Sequence, residues 1–154
     1  MIVQTLLLNI VADLELTASQ AVKFILMLIL LAAATLNVYK AYKANTAQKK
    51  TIKIGIAAIL ILIILPIKRW YDIEGDLLNH PEYTTGVTIN YCDEFAKGAA
   101  VEFSYEVDGV EYRNCNAYHP VPKEQIIFSG GKYAVRYSKK YPDKGRMDFK
   151  QPVP

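Results

Sequence analysis

Two stretches of the chain are apolar all the way round a helix, and everything after them alternates. Phe24 to Tyr39 is sixteen residues without a charge, and Ile54 to Ile67 is fourteen more. Neither run leaves a polar face, so neither reads as an amphipathic surface helix. A membrane-crossing helix needs roughly 20 apolar residues, and fourteen residues rise only about 21 Å. Lys23 and Lys53 close that gap if their ammonium groups reach outward along apolar stems. Trp70 and Tyr71, just past Lys68 and Arg69, supply aromatic anchors at an interface. Pro66 falls one turn before the expected end of the second span. The alternative is a buried helical hairpin in a soluble protein, which 154 residues would have difficulty covering. Upstream, apolar residues at 3, 6, 7, 10, 11 and 14 have helical spacing, predicting a helix over 2–16.

After Trp70 the period changes. Val87, Ile89 and Tyr91 share one parity; Val101, Phe103, Tyr105 and Val107 share another, with Glu102, Ser104 and Glu106 between them. That is the signature of half-buried strands. Asp108-Gly109 is a two-residue hairpin signal, because both positions favour φ > 0. It sets Val107 opposite Val110 and Tyr105 opposite Tyr112. Gly130-Gly131 leads into Tyr133–Tyr137, and a turn at Tyr141–Gly145 leads into Arg146–Phe149.

The expected fold is therefore an α+β membrane protein, a two-helix transmembrane hairpin followed by a small antiparallel β barrel or sandwich. Its parts are a membrane region over 1–71 (helix 2–16, spans about 22–39 and 52–70, basic loop 40–53), a polar connector over 72–83 and a β module over 84–154.

Charge orients this arrangement. Lys40, Lys43, Lys49, Lys50 and Lys53 lie between the spans with no acid among them. Through residue 71 there are eight bases and two acids; beyond it, ten bases and thirteen acids. The positive-inside rule puts the basic loop in the cytoplasm, with both termini and the β module outside. The excess of +6 in the first part reads as contact with lipid head groups and not with nucleic acid. Ala32-Ala33-Ala34 faintly resembles a signal-peptide cleavage region, but the preceding segment lacks a basic n-region.

Residues from Thr84 to Phe149 resemble an uncharacterised bacterial family of small membrane proteins, a domain of unknown function. The resemblance rests on Thr85-Gly86-Val87, the strand Val101–Val107 with Asp108-Gly109 and Tyr112, the stretch Gly131–Tyr137, and Tyr141-Pro142-Asp143. Ser138-Lys139-Lys140 and Asp143-Lys144 depart from the family pattern. The resemblance implies a bacterial inner-membrane, multi-pass protein and carries over no chemistry.

Few residues invite a chemical role. Cys92 and Cys115 form a disulfide or remain free thiols; in a simple meander they would lie two strands apart, near 10 Å. His80 and His119 show no zinc-module spacing, and no metal or cofactor is expected. No phosphate loop, nucleophile elbow or His-Glu-X-X-His occurs, and Glu102, Glu106 and Glu111 read as a solvated hairpin face, so the chain is read as non-enzymatic. Tyr91, Tyr105, Tyr112, Tyr133 and Tyr137 are expected in or beside the core. Tyr118, His119 and Pro120 form a candidate partner-contact loop. Lys23, Lys40, Lys43, Lys53, Lys68, Arg69, Trp70 and Tyr71 are candidate membrane-interface residues. The expected partners are the lipid bilayer and another membrane protein or a second copy. Function is read as an interaction or accessory subunit, with an immunity-type protein against a membrane-acting toxin or a homo-oligomeric channel as alternatives.

Overall fold

In a computed structural model of the chain, residues 2–94, 98–117, 121–127 and 129–154 are described. Two helices come first, α1 (Ile2–Tyr42) and α2 (Ala47–Asn79), followed by strands β1 (Glu82–Glu94), β2 (Gly98–Val107), β3 (Val110–Ala117), β4 (Lys132–Ser138) and β5 (Tyr141–Pro152). A 3-10 turn, Lys123–Gln125, lies between β3 and β4. The chain divides into two units, Asp13–Gly75 and Met1–Ala12 with Asp76–Pro154.

In the helical unit, α1 runs without a break from the N-terminal segment through the first apolar run. Leu16–Tyr42 and Ala47–Asn79 are both long and apolar enough to cross a membrane. At 1.5 Å per residue these are roughly 40 and 50 Å long. The basic segment is largely helical, leaving only residues 43–46 as the turn.

The connector expected over 72–83 is not a loop: α2 continues through it to Asn79 and β1 starts at Glu82. The Lys68–Asp72 ion pair (2.5 Å, one helical turn apart) favours this continuation, and Pro81 follows its end. Pro66 consequently lies well inside α2, where it deprives the Leu62 carbonyl of its helical donor.

What the helices hide is not what soluble helices hide. Buried or half-buried positions on α1 recur at Leu16, Gln20, Lys23, Met27, Leu30, Ala34, Asn37 and Ala41; on α2 they recur at Lys53, Ala57, Leu60, Ile64, Ile67, Tyr71 and Glu74. Alternating steps of three and four give the 3.5-residue repeat of a narrow, left-handed helix seam. Between Lys23 and Lys68 the fully hidden side chains among the described residues are Ala34, Ala41 and Ala57, whereas Phe24, Ile25, Leu28, Ile29, Ile59 and Leu62 point outward and are exposed.

The second unit carries one five-stranded antiparallel sheet in the order β3-β2-β1-β4-β5. It is a curled half-barrel, not a two-sheet sandwich. The first three strands meander, then the chain crosses to place β4 on the other side of β1. Thr88 holds that crossing: its hydroxyl accepts from Gly131 N (2.9 Å) and donates to Ile127 O (3.0 Å), and its own amide donates to Gly131 O (2.9 Å). The core fills the concave face with Val101, Phe103, Tyr105, Tyr133, Val135, Met147 and Phe149.

The Asp108-Gly109 hairpin has the register its sequence dictates, Val107 opposite Val110 and Tyr105 opposite Tyr112, with φ of 52° and 80° at the turn. The two tyrosine rings stack with centroids 5.7 Å apart. Two local expectations differ. The last hairpin turns at Lys139-Lys140, since Ser138 pairs with Tyr141, and Tyr141–Gly145 belongs to β5. Pro142 is tolerated there because β5 is an edge strand.

The parity of Val87, Ile89 and Tyr91 is also broken, by a bulge. Thr88 pairs with Phe103 but Asn90 pairs with Glu102, so Ile89 is the extra residue. Val87 therefore lies on the convex face, while Tyr91 is turned to the Val101 side at the strand's end and remains exposed rather than buried.

Candidate functional site

Three groups of polar side chains are built by this fold: a lock between the helices, a cationic turn, and the seam and bridge of the sheet.

The lock lies at the open end of the helix pair. Lys23 Nζ donates to Glu74 Oε2 at 2.7 Å and to Ser19 Oγ at 2.6 Å, and Ser19 Oγ donates to Glu74 Oε1 at 3.1 Å. Gln20 Nε2 donates to the Tyr71 carbonyl at 3.1 Å. Glu74 is only 3% exposed, so its carboxylate depends on these partners. Gly75 makes room for Gln20, since a Cβ there would stand 2.7 Å from its Nε2.

Lys23, expected to extend toward a membrane surface, instead turns to Glu74. Tyr71, expected as an outward aromatic anchor, is half-buried on the seam, while Trp70 beside it is exposed. The seam spacing of Ser19, Gln20, Lys23, Tyr71 and Glu74 was the available signal for this group.

At the other end, Lys40, Lys43, Lys49 and Lys50 are exposed and Lys53 is half-buried. Lys43 Nζ sits 4.8 Å from the centre of the Tyr39 ring. The bonds of Ser19 and Gln20 to α2 set the alignment of the two helices. They bring Lys23 level with the Lys68-Arg69 pair and Lys40 level with Lys53, so the two charge-free runs lie side by side. Inside that common belt the two polar side chains of α1 bond to their own helix. Thr35 Oγ1 donates to Ala32 O (2.8 Å) and Leu31 O (3.0 Å), and Asn37 Nδ2 donates to Ala33 O (2.8 Å).

In the sheet unit, Cys92 and Cys115 are joined by a disulfide, with Cα atoms 6.3 Å apart. The flat-meander spacing is overcome by the curl and by the bulge at Ile89. Cys92 pairs with Ala100 and Cys115 with Glu102, so both sulfurs lie on the convex face. Without the extra residue Cys92 would share the concave face with Thr88. The bridge crosses β2 beside Ala100, which is fully buried although it faces away from the core.

The edges β3 and β5 are tied by asparagine side chains. Asn114 Nδ2 donates to Asp143 O (3.0 Å), Gly145 O (3.2 Å) and Tyr105 Oη (3.0 Å), and Asn116 Oδ1 accepts from Met147 N (3.1 Å). Tyr105 Oη also accepts from Gly145 N (2.8 Å) and donates to Pro142 O (2.6 Å), which uses its full bonding capacity. Burial raises the Tyr105 phenol above its ordinary value, against the lowering effect of the Gly145 amide. Neither asparagine stood out in the sequence, although both share the parity of Tyr112 and so the core face of β3.

The remaining candidates are dispersed. Tyr118, His119 and Pro120 lie outside the described residues. His80 is exposed, its Nδ1 3.3 Å from Asp76 Oδ1, while Asp76 Oδ2 accepts a hydrogen bond from the Ser138 hydroxyl. Glu106 and Glu111 face each other, exposed, on the convex side of the hairpin, and Glu102 is half-buried there opposite Cys115. Among the described residues no three His, Cys, Asp or Glu side chains group as metal ligands.

Fold and site define a class: a pair of long apolar helices with a polar seam, carrying a disulfide-bridged, curled antiparallel sheet. No protein-family model matches the chain, and neither a curated protein nor a solved structure is found similar to it.

Proposed function

We propose that the helix pair spans a bacterial inner membrane, with the lysine turn in the cytoplasm and the sheet module outside, and that the protein is a non-enzymatic accessory or interaction subunit. The observation that carries the membrane reading is the inverted burial of the helices. Alanine and polar side chains fill most of the seam, while isoleucine, leucine and phenylalanine cover the outside. In water the outward residues would expose an apolar surface far beyond what soluble monomers show. In lipid the same pattern is favourable, because small residues let helices approach and polar groups are satisfied internally.

Two features support the orientation. A disulfide is at home in an oxidising compartment, which suits a module outside the cytoplasm. Of the cations near the module end, Lys23 and Lys68 are neutralised by Glu74 and Asp72, while the turn keeps all five of its lysines. Orientation follows the Lys and Arg count, which is five at the turn against Lys23, Lys68 and Arg69 at the other end. For the accessory role, a small module built from turns, core and bridge presents faces for a partner.

The test has two parts. Reporter fusions after Pro154 and within residues 43–46, with carbonate extraction of membranes, should place the chain in the membrane, the C-terminus outside and the turn inside. Extraction by carbonate, or a C-terminal reporter active only in the cytosol, overturns the topology. Cross-linking in intact cells followed by mild solubilisation should return a stoichiometric membrane complex. A chain recovered alone overturns the accessory role.

A further inference from the structure

We propose that the basic turn is a binding surface for the phosphate head groups of anionic phospholipids, an inference that rests on the membrane reading above. The chain has no Asp or Glu between Glu15 and Asp72. Lys40, Lys43, Lys49, Lys50 and Lys53 therefore have no carboxylate in their part of the sequence, and no ion pair involves them among the described residues. The fold concentrates them further. Residues 43–46 reverse the chain between the end of α1 and the start of α2, so both sets of lysines gather at one end of the helix pair.

Lys40, near the end of α1, and Lys43, in the turn, are three apart, and on α2 Lys50 and Lys49 lie three and four before Lys53, close spacings at which like charges repel. The opposite end of the same helices shows what internal compensation looks like. There Lys23 holds Glu74 at 2.7 Å and Lys68 holds Asp72 at 2.5 Å. Among the described residues the turn has no such partner, which leaves its lysines open to a counter-charge from outside the chain.

The position of the lysines selects the source. Lys40 and Lys53 close the two charge-free runs at the same level, which puts their ammonium groups at head-group depth when those runs lie in hydrocarbon. Tyr39, with Lys43 over its ring, and the exposed Tyr42 stand at the same boundary, where tyrosine is favoured. Head-group phosphates held in that plane meet several lysines at once, whereas free phosphate meets them singly and without the anchoring of the belt.

The experiment uses the full chain purified in neutral detergent and native mass spectrometry with equal amounts of phosphatidylglycerol and phosphatidylcholine. Juxtamembrane lysines strengthen the attraction to anionic lipid severalfold each, so the expected preference for phosphatidylglycerol is at least about tenfold. Changing all five lysines to glutamine should abolish it, and changing all five to arginine should keep it. Millimolar inorganic phosphate should leave the bound lipid in place. Equal retention of the two lipids, an unchanged preference in the glutamine variant, or displacement by inorganic phosphate overturns the proposal. Carbonate extraction from phosphatidylcholine vesicles separates the two failures. A chain that is extracted refutes the membrane reading itself, while one that stays embedded yet shows no lipid preference refutes the head-group site alone.

Discussion

Removing the Cys92–Cys115 bridge is expected to lower the stability of the sheet module by up to about 3 kcal/mol. The cysteines are 23 positions apart, and closing a loop of that size removes about 3.4 kcal/mol of chain entropy from the unfolded state at 25 °C. That figure is an upper one, because the closed loop contains the β2–β3 hairpin. The Asp108-Gly109 turn already favours proximity of its two arms before folding. A module running from Glu82 to the C-terminus has a total stability of roughly 4–11 kcal/mol at usual values per residue, so the bridge supplies a large part of it. Neutral detergent keeps the helices folded while urea acts on the sheet, and near-ultraviolet circular dichroism reports the module's tyrosines. At about 1 kcal/mol per molar urea, the Cys92→Ser/Cys115→Ser variant should unfold some 2–3 M earlier than the oxidised protein. Dithiothreitol should move the wild type by the same amount and leave the variant unmoved. A midpoint shift below about 0.5 M would refute the reasoning, since such a bridge would constrain nothing that the sheet does not already hold.

Four further outcomes follow from named contacts. Glu74→Leu leaves Lys23 without its carboxylate and should destabilise the helix pair by about 3–5 kcal/mol in a thermal melt in detergent, with Lys23→Met/Glu74→Leu recovering most of the loss; an unchanged single variant refutes the lock. Gly86→Ala would drive a Cβ to 2.5 Å from Val135 Cγ2, 2.8 Å from Met147 Cε and 3.0 Å from Ser104 O, and should cost about 1–3 kcal/mol in the urea assay. Asn114→Ala should cost about 1–3 kcal/mol by stranding acceptors at the β3–β5 seam, and should speed amide exchange of Gly145 and Met147 more than that of β1. Tyr105 ionises above the ordinary value of 10.0 in the folded state, so its contribution is complete below that pH and is lost as pH rises through the folded value, the unfolded chain giving up its proton first; an absorbance titration should show a late phenol that Tyr105→Phe removes.

How much of this was readable in advance depends on whether a feature is local. The β2–β3 register followed from a two-residue turn and period-two alternation, both set within a few positions of Asp108. The bulge at Ile89 has no such mark. Thr88, Ile89 and Asn90 read as ordinary strand, and only pairing with Phe103 and Glu102 reveals the extra residue. Since Cys92 lies just beyond it, the face of that cysteine was unreadable for the same reason. For Asn114 and Asn116 the face was readable, since they share the parity of Tyr112, but not the partner: their side chains meet the β5 backbone where no backbone ladder forms. Tyr118, His119 and Pro120, offered as a contact loop, fall outside the described residues.

The helix seam was hidden by the very property that announced the helices. Where every residue is apolar, a 3.5-residue stripe has no contrast against its background, and the belts look uniform. The contrast lies in the few residues that are not apolar. Gln20, Lys23, Asn37, Lys53, Tyr71 and Glu74 all fall on the two stripes, with Ala34, Ala41 and Ala57 between them. The sheet follows the reverse rule, with Phe103, Tyr133 and Val135 inside and Glu106, Glu111 and Arg113 outside. One chain applying opposite rules on either side of its last helical turns is what the proposed membrane setting requires, since apolar side chains face outward favourably in lipid and inward in water. The reversal is a sharper argument for a membrane-embedded hairpin than helix length, which a buried soluble helix could also reach. Variants can probe it directly. Ile29→Ser on the outside should be tolerated in detergent and disfavour insertion, whereas Ala34→Leu in the seam should separate the helices while leaving the outer surface as apolar as before.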